Sequence, residues 1–239
     1  MPSNLDFFYY MIYNKSMRMR RKKNLDIRIV SHPKYLLFLE TEEFYTKEEN
    51  DKYHVLDLAQ IFKNNNSLWL EIGCGKGQFA LETSAKNPDK NIIAVEKISN
   101  VILEALENAE NLQPENCRFL NCSAENLRYY LKDTTVERIF LNFSCPYPKY
   151  TYRNRRLTYY RFLEIYKKLL KPNGEIHLKT DNQGFFEFSI QSLSENGFKI
   201  KNVSLDLHNS DFKDNVQTEY EKIFSSQGKP IYRLEAYLS

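Results

Sequence analysis

The stretch that decides the fold is "LWLEIGCGKGQFALETSAKN", residues 68–87. "LWLEI" (68–72) is a short run of bulky apolar residues broken by one acid, as a strand buried on both faces requires. Gly73, Gly75 and Gly77 come next. Glycine lets the backbone turn tightly and pass close to a ligand. Residues 76–87 then read as a helix whose N-terminus follows the turn. Ligands of open α/β sheets bind beyond the carboxyl ends of the strands, so this turn is the first candidate for a site.

The same alternation continues outward. "NIIAV" (91–95), "CRFLN" (117–121), "RIFLNF" (138–143) and "EIHLKT" (175–180) read as further strands. Residues 99–112, 124–131, 157–170 and 182–197 read as helices between and after them; Leu103, Leu106 and Ala109 share one helical face. "IKNVSLDL" (200–207) and "IYRLEAYL" (231–238) suit an antiparallel pair at one end of the sheet. Strand–helix alternation of this kind predicts a doubly wound α/β sheet, mostly parallel, with an antiparallel C-terminal strand. Residues 24–67 are hard to read apart from a helix at 55–63. The expected division is a flexible extension and basic arm over 1–23, then one domain over 24–239.

A net charge of +3 is too small to identify a nucleic-acid partner by itself. Its distribution says more. Arg18, Arg20, Arg21, Lys22 and Lys23 form one basic run; Lys149, Arg153, Arg155 and Arg156 form another. Cys74, Cys117, Cys122 and Cys145 include no Cys-x-x-Cys pair, so neither a zinc site nor a redox motif is expected. Four thiols in a chain this long suit a reducing, cytoplasmic setting. The opening "MPSNLDFFYYMIYNKS" lacks a positive leading segment and contains Asp6, so it reads as neither signal peptide nor membrane span, and Met17 or Met19 is a candidate start.

Two acids give the glycine turn a chemical meaning. A dinucleotide fingerprint needs a third glycine where Gln78 stands. Glu71 beside the turn would repel a pyrophosphate and attract an ammonium group. Glu96, 25 residues after Glu71, stands where an acid grips ribose hydroxyls. An acid for an ammonium and an acid for a ribose describe S-adenosylmethionine, and disfavour a dehydrogenase.

Several segments then add up: "MRMRRKK" (17–23), "EIGCGKGQF" (71–79), "NFSCPYPK" (142–149), "RRLT" (155–158), "HLKTDN" (177–182), "VSLDLHNS" (203–210), "TEYE" (218–221) and "PIYRLE" (230–235). In this order and spacing the chain resembles the bacterial tRNA (guanine-N7)-methyltransferases, from Met17 to the C-terminus. The resemblance implies a Rossmann-like class I methyltransferase sheet and a cytoplasmic monomer or homodimer, with no membrane and no metal. Its implied activity is methylation of guanosine N7 in the tRNA variable loop. It implies cofactor contacts at Glu71, Gly73, Gly75, Gly77, Glu96, Ser123 and Cys145. Substrate contacts are implied at Lys149, Asp181, Thr218, Glu219, Tyr220 and Glu221. RNA contacts are implied at Thr151, Tyr152, Arg153, Asn154, Arg155 and Arg156. Ser123 departs from the acid or amide usual there. Cys145 stands where the family has its proposed active-site aspartate, and Tyr152 where histidine is common.

Guanine N7 carries a lone pair and no proton, so its methylation needs no general base. Asp181 is therefore the candidate for orienting the base, with Cys145 a neutral wall. Other readings of Cys145 stay open: a nucleophile adding to a pyrimidine carbon, which would need an activated thiol, or a turn for methylation of exocyclic amines with Tyr147 stacking. An RNA-binding homologue without turnover is a further alternative. Lys149, Arg153, Arg155 and Arg156 suit phosphates, and Tyr147, Tyr150 and Tyr152 suit stacking. Four engaged phosphates would make binding about sevenfold weaker when salt is doubled. His177, His208, Tyr159, Phe162 and Tyr166 read as packing or hydrogen-bonded residues.

Overall fold

The computed structural model describes residues 20–238. The expectations for residues 1–16, for the two candidate start methionines and for Arg18 lie outside the described residues. The chain begins with α1 (Leu25–Val30), β1 (Leu36–Leu39), α2 (Glu42–Thr46) and α3 (Leu58–Phe62). Next come β2 (Ser67–Ile72), α4 (Gln78–Lys86), β3 (Lys90–Val95), α5 (Ser99–Leu112) and β4 (Cys117–Asn121). Beyond them are β5 (Val136–Asn142), α6 (Tyr160–Leu169), β6 (Leu170–Thr180) and α7 (Gln183–Glu195). The chain closes with β7 (Phe198–Ser204), α8 (Glu219–Ser226) and β8 (Tyr232–Leu238).

The strands form one eight-stranded sheet in the order β1-β4-β3-β2-β5-β6-β8-β7. Neighbours from β1 through β6 are parallel, while β8 runs antiparallel to both β6 and β7. The order reverses at β2, between β3 and β5, which is the switch point of a doubly wound sheet. The expected α/β class and the antiparallel C-terminal strand are both present.

Alternation along β2 assigns the two faces. Leu68, Leu70 and Ile72 join one core with Leu127, Tyr130, Phe162, Leu163, Tyr166 and Phe185. Trp69 joins the other with Phe79, Ile102, Leu103, Leu106, Ala109 and Phe119. Leu103, Leu106 and Ala109 are fully enclosed. Each such leucine contributes about 1.5–3 kcal/mol relative to an exposed one, so the stripe fixes α5 on the sheet. Glu71 has the parity of Trp69 and is buried on that face. Tyr166 and Phe162 are core residues, and Tyr159 packs against that core.

Three differences from expectation have local causes. β1 was hidden within 24–67 because "LLFL" is too short for any period to show; it pairs with β4 at the sheet edge. Residues 124–131 form a 3-10 turn over Ala124–Tyr129 instead of a full helix. Leu127, Tyr129, Tyr130 and Leu131 are all buried, and consecutive buried residues do not fit one face of an α-helix. The helix expected from 157 starts at Tyr160, because Leu157 and Thr158 lie in a turn closed by the Tyr159 N–H on the Arg156 carbonyl and the N-cap Tyr159 is extended. The Thr158 hydroxyl lies 2.9 Å from that of Ser189, and its carbonyl accepts from Ser192.

Residues 20–23 of the first basic run lie against α5. The Lys22 N–H donates to Asn100 Oδ1 at 3.0 Å, and Lys22 Nζ pairs with Glu104 at 3.0 Å. No helix among the described residues is long and apolar enough to cross a membrane.

Candidate functional site

The glycine turn after β2 is drawn onto the end of β3. The N–H groups of Gly73 and Cys74 donate to the Val95 carbonyl at 2.8 and 3.0 Å. Gly77 has φ +79°, and a Cβ there would sit 2.9 Å from Ala105 Cβ and from the Phe119 ring. Its backbone thus packs directly on α5 and β4, which only glycine permits. Gly73 and Gly75 also have positive φ, but a Cβ on either would meet nothing within 4 Å. The turn is thus held at both ends, with space beside Gly73 and Gly75.

Two carboxylates flank it. Glu71 is 2% exposed; Oε1 accepts from Asn142 Nδ2 at 3.1 Å, while Oε2 is buried without a hydrogen-bond partner. Burial raises its pKa to about 7, against the pull of the Asn142 amide, the Lys179 charge and the Ala80 backbone. Glu96 accepts from the N–H of Gly75 at 3.2 Å and of Ile98 at 2.9 Å. Burial raises its pKa too, and those backbone donors oppose the rise. Gln78, at the first turn of α4, also keeps a buried, unclaimed Oε1. These groups fit S-adenosylmethionine: acceptors with nothing to accept suit its ammonium, and a carboxylate at the next strand end suits its ribose diol.

Ser123 follows β4, half-buried, and its N–H reaches Glu40 Oε2 at 3.4 Å. Glu40 comes from the segment after β1 and also accepts from Tyr130, at 3.0 Å, and Asn126, at 3.1 Å. Ile98, apolar and 45% exposed, lies beside Glu96.

On the far side of the switch point, β5 ends at Asn142 and β6 at Thr180. Phe143 and Tyr147 have φ +49° and +40°, the left-handed region that bulky side chains avoid. Between them lie Ser144, whose buried Oγ lacks a partner, and the half-buried Cys145. Burial pushes the Cys145 thiol up, outweighing its contacts with Tyr147 and the charges of Lys97 and Arg155. A nucleophilic thiol needs the opposite shift. Asp181 stands immediately after β6, half-buried, its pKa raised by burial against its own backbone N–H and the charge of Lys229.

The "TEYE" segment divides. Thr218 caps α8, its hydroxyl accepting from the Glu221 N–H at 3.0 Å. Glu219 and Tyr220 are exposed. Tyr220 stacks on Phe143, ring centres 6.5 Å apart, bringing α8 to the Cys145 turn. Glu221 is fully enclosed and pairs with Lys179 Nζ at 2.6 Å and His208 Nε2 at 3.2 Å. Lys179 is the register partner of Asn142. Neither residue is marked as functional by the sequence, where each is a polar residue at the end of a strand.

Lys149, Thr151, Tyr152, Asn154 and Arg155 are exposed, on or just before a 3-10 helix over Tyr150–Arg155. Arg153 lies 3.8 Å over the Tyr150 ring, and Arg155 4.7 Å over Tyr152. Arg156 turns the other way, toward the protein interior, its Nε donating to the Pro146 carbonyl at 2.9 Å. Elsewhere, Glu175, His177 and Glu235 bring ligand-type atoms within 4.8 Å of one another. Both acids there are already paired, Glu175 with Lys201 and Glu235 with Arg233, as in an ion-pair network.

Residues 65–234 match a family model described as "Putative methyltransferase". A tRNA (guanine-N(7)-)-methyltransferase of Geobacillus sp. is 42% identical over 219 residues, 92% of this chain and 94% of the relative. One of Streptococcus thermophilus is 43% identical over 220 residues, 92% of this chain and 98% of its own length. Among solved structures, the 16S rRNA methyltransferase KamB matches with TM-score 0.59 at 13% identity, over 78% of this chain and 95% of that one. A SAM-dependent methyltransferase of Aquifex aeolicus matches with TM-score 0.51 at 14% identity, over 84% and 100%. The structures establish the fold alone. With the family model, the two relatives and a sheet whose strand ends carry Glu71 and Glu96, the chain belongs to the tRNA (guanine-N7)-methyltransferase family.

Proposed function

We propose that this chain methylates N7 of a guanosine in the variable loop of tRNA, using S-adenosylmethionine. The cofactor, when bound, supplies an electrophilic methyl group on a sulfonium. The protein's own task is to hold donor and acceptor in line, and such alignment is worth up to about 7–11 kcal/mol. The observation that carries the reading is the unclaimed, buried Oε2 of Glu71 across the glycine turn from Glu96. It is an acceptor waiting for an ammonium. The choice of tRNA and of N7 rests on the activity named for the relatives.

In this reading Glu71 and Gln78 receive the ammonium and Glu96 the ribose hydroxyls. Asp181 holds the N–H edge of guanine and offsets the positive charge that develops on the base. Cys145 is a neutral wall: its raised pKa keeps the thiol protonated, which supports attack by a lone pair already free over addition to a pyrimidine. Tyr220, exposed and stacked on Phe143, is placed to meet a base; Glu219 lies beside it. Thr218 and Glu221 support that segment through the cap and the Lys179 pair. Lys149, Arg153 and Arg155 face phosphate. The four unpaired cysteines suit a reducing cytoplasm.

Mass spectrometry of nucleosides from an unmodified tRNA transcript, treated with the protein and an isotope-labelled methyl donor, tests the proposal. Label in 7-methylguanosine is expected. Label on a pyrimidine carbon or an exocyclic amine, or none at all, overturns it.

A further inference from the structure

We propose that Arg156 is a positioning residue that clamps the Cys145 turn from inside, instead of a phosphate contact like the arginines before it. Arg156 Nε donates to the Pro146 carbonyl at 2.9 Å and Nη2 to the Tyr147 carbonyl at 3.1 Å. Its guanidinium lies 4.4 Å from the centre of the Phe188 ring, on α7. One planar group thus grips two successive carbonyls and rests on a helix that packs against the core.

The turn needs such a hold. Phe143 and Tyr147 are both in the left-handed region; each costs about 1–3 kcal/mol and persists only where its surroundings enforce it. Ser144 Oγ is buried without a partner between them. Burial lowers the pKa of Arg156, and its charge is met by the two carbonyl dipoles and an aromatic face.

Arg156 also joins that turn to the RNA-facing segment. It directly follows the 3-10 helix of Arg153 and Arg155, and its N–H donates to the Arg153 carbonyl at 3.1 Å. The Tyr159 N–H donates to its carbonyl at 2.9 Å, tying it to the start of α6. Arg153 and Arg155 lie on this short helix, each over the tyrosine ring three residues before it, while Arg156 at its end grips the Cys145 turn. Phosphate held by the first two therefore fixes the position of the third, and with it the wall at the methyl-transfer site.

The inference rests on the proposed methyl transfer to tRNA, and steady-state kinetics separate it from that reading. Arg156→Lys keeps the charge but cannot span two carbonyls. It should lower kcat by about tenfold to a hundredfold with KM for tRNA nearly unchanged. Arg156→Gln should leave the salt dependence of tRNA binding at its wild-type slope. That slope should correspond to three phosphates, about a fourfold loss on doubling the salt. Phe188→Leu, which removes the plate under the guanidinium without touching a charge, should lower kcat in the same way and serves if the arginine variants fail to fold. Hydrogen exchange at residues 144–149 of the ligand-free protein should quicken in Arg156→Lys. The inference is overturned if Arg156→Lys retains kcat, if Arg156→Gln lowers the salt slope, or if exchange at the turn is unaltered. A wild-type protein that transfers no methyl group to tRNA would overturn the proposed function instead, while the exchange result still reports on the clamp.

Discussion

Asn142 Nδ2 donates to Glu71 Oε1 at 3.1 Å, between the ends of neighbouring strands β5 and β2, and the other Glu71 oxygen is left buried without a donor. Without an ammonium this carboxylate holds its proton up to about pH 7, against 4.5 for an ordinary glutamate. The native state then keeps a proton that the unfolded chain releases. The associated stability is fully present below the ordinary value and is lost as pH climbs through about 7. Affinity for the cofactor should run the other way, rising with pH through the same window and falling again once its amino group loses its proton at about pH 8. Calorimetric titration of wild type and Glu71→Gln across this range checks it: the substitution should weaken binding and erase the acidic limb.

The Lys179–Glu221 pair predicts a second outcome. Lys179 Nζ is 2.6 Å from Glu221 Oε2, and both side chains are almost fully enclosed. Removing one partner strands a buried charge, so Lys179→Met or Glu221→Leu alone should cost about 3–5 kcal/mol. The double substitution should cost much less than their sum. Urea unfolding of the three variants measures the cycle, and additive losses would show that the pair is not coupled.

Asp181 and Cys145 should separate in turnover. Asp181→Ala removes the group assigned to the guanine edge and should lower kcat by about tenfold to a hundredfold. Cys145→Ala removes a protonated thiol and should cost far less. Single-turnover methyl transfer to tRNA compares them; a larger loss in the cysteine variant would sink the assignment.

The glycines of the turn should differ in what they lose. At Gly77 a Cβ would strike Ala105 and Phe119 at 2.9 Å, whereas at Gly73 it would meet nothing within 4 Å. Both have left-handed φ, so each alanine carries about 1–3 kcal/mol of backbone strain. Gly77→Ala should add the steric cost and unfold at lower temperature than Gly73→Ala. Gly73→Ala should show its further effect on cofactor affinity, since its open side faces the turn. Thermal melts with calorimetry settle the order.

Much of this protein was written locally. The run "LWLEI", the glycines after it and the spacing from Glu71 to Glu96 define a parallel strand, a turn and a second strand end. The period of Leu103, Leu106 and Ala109 marks the buried face of α5. These features are legible because hydrophobic period and backbone permissiveness depend on residues close in sequence. β1 was not legible, since four apolar residues carry no period, and its partner β4 lies some eighty residues along the chain. The 3-10 turn at Ala124 resembles a helix locally, and it is the burial of Leu127, Tyr129, Tyr130 and Leu131 together that one face of an α-helix does not allow.

Sequence by itself thus determined the α/β class, the strand ends and the two acids. Only tertiary structure decided which of those groups remain free to bind. Along the chain Asn142 and Lys179 are ordinary polar residues and Arg156 reads like Arg153 and Arg155; strand register sets Asn142 beside Lys179, while packing puts Arg156 under the Cys145 turn. Whether a charge faces phosphate or grips a carbonyl is fixed by burial and by partners distant in sequence, and no local pattern encodes either.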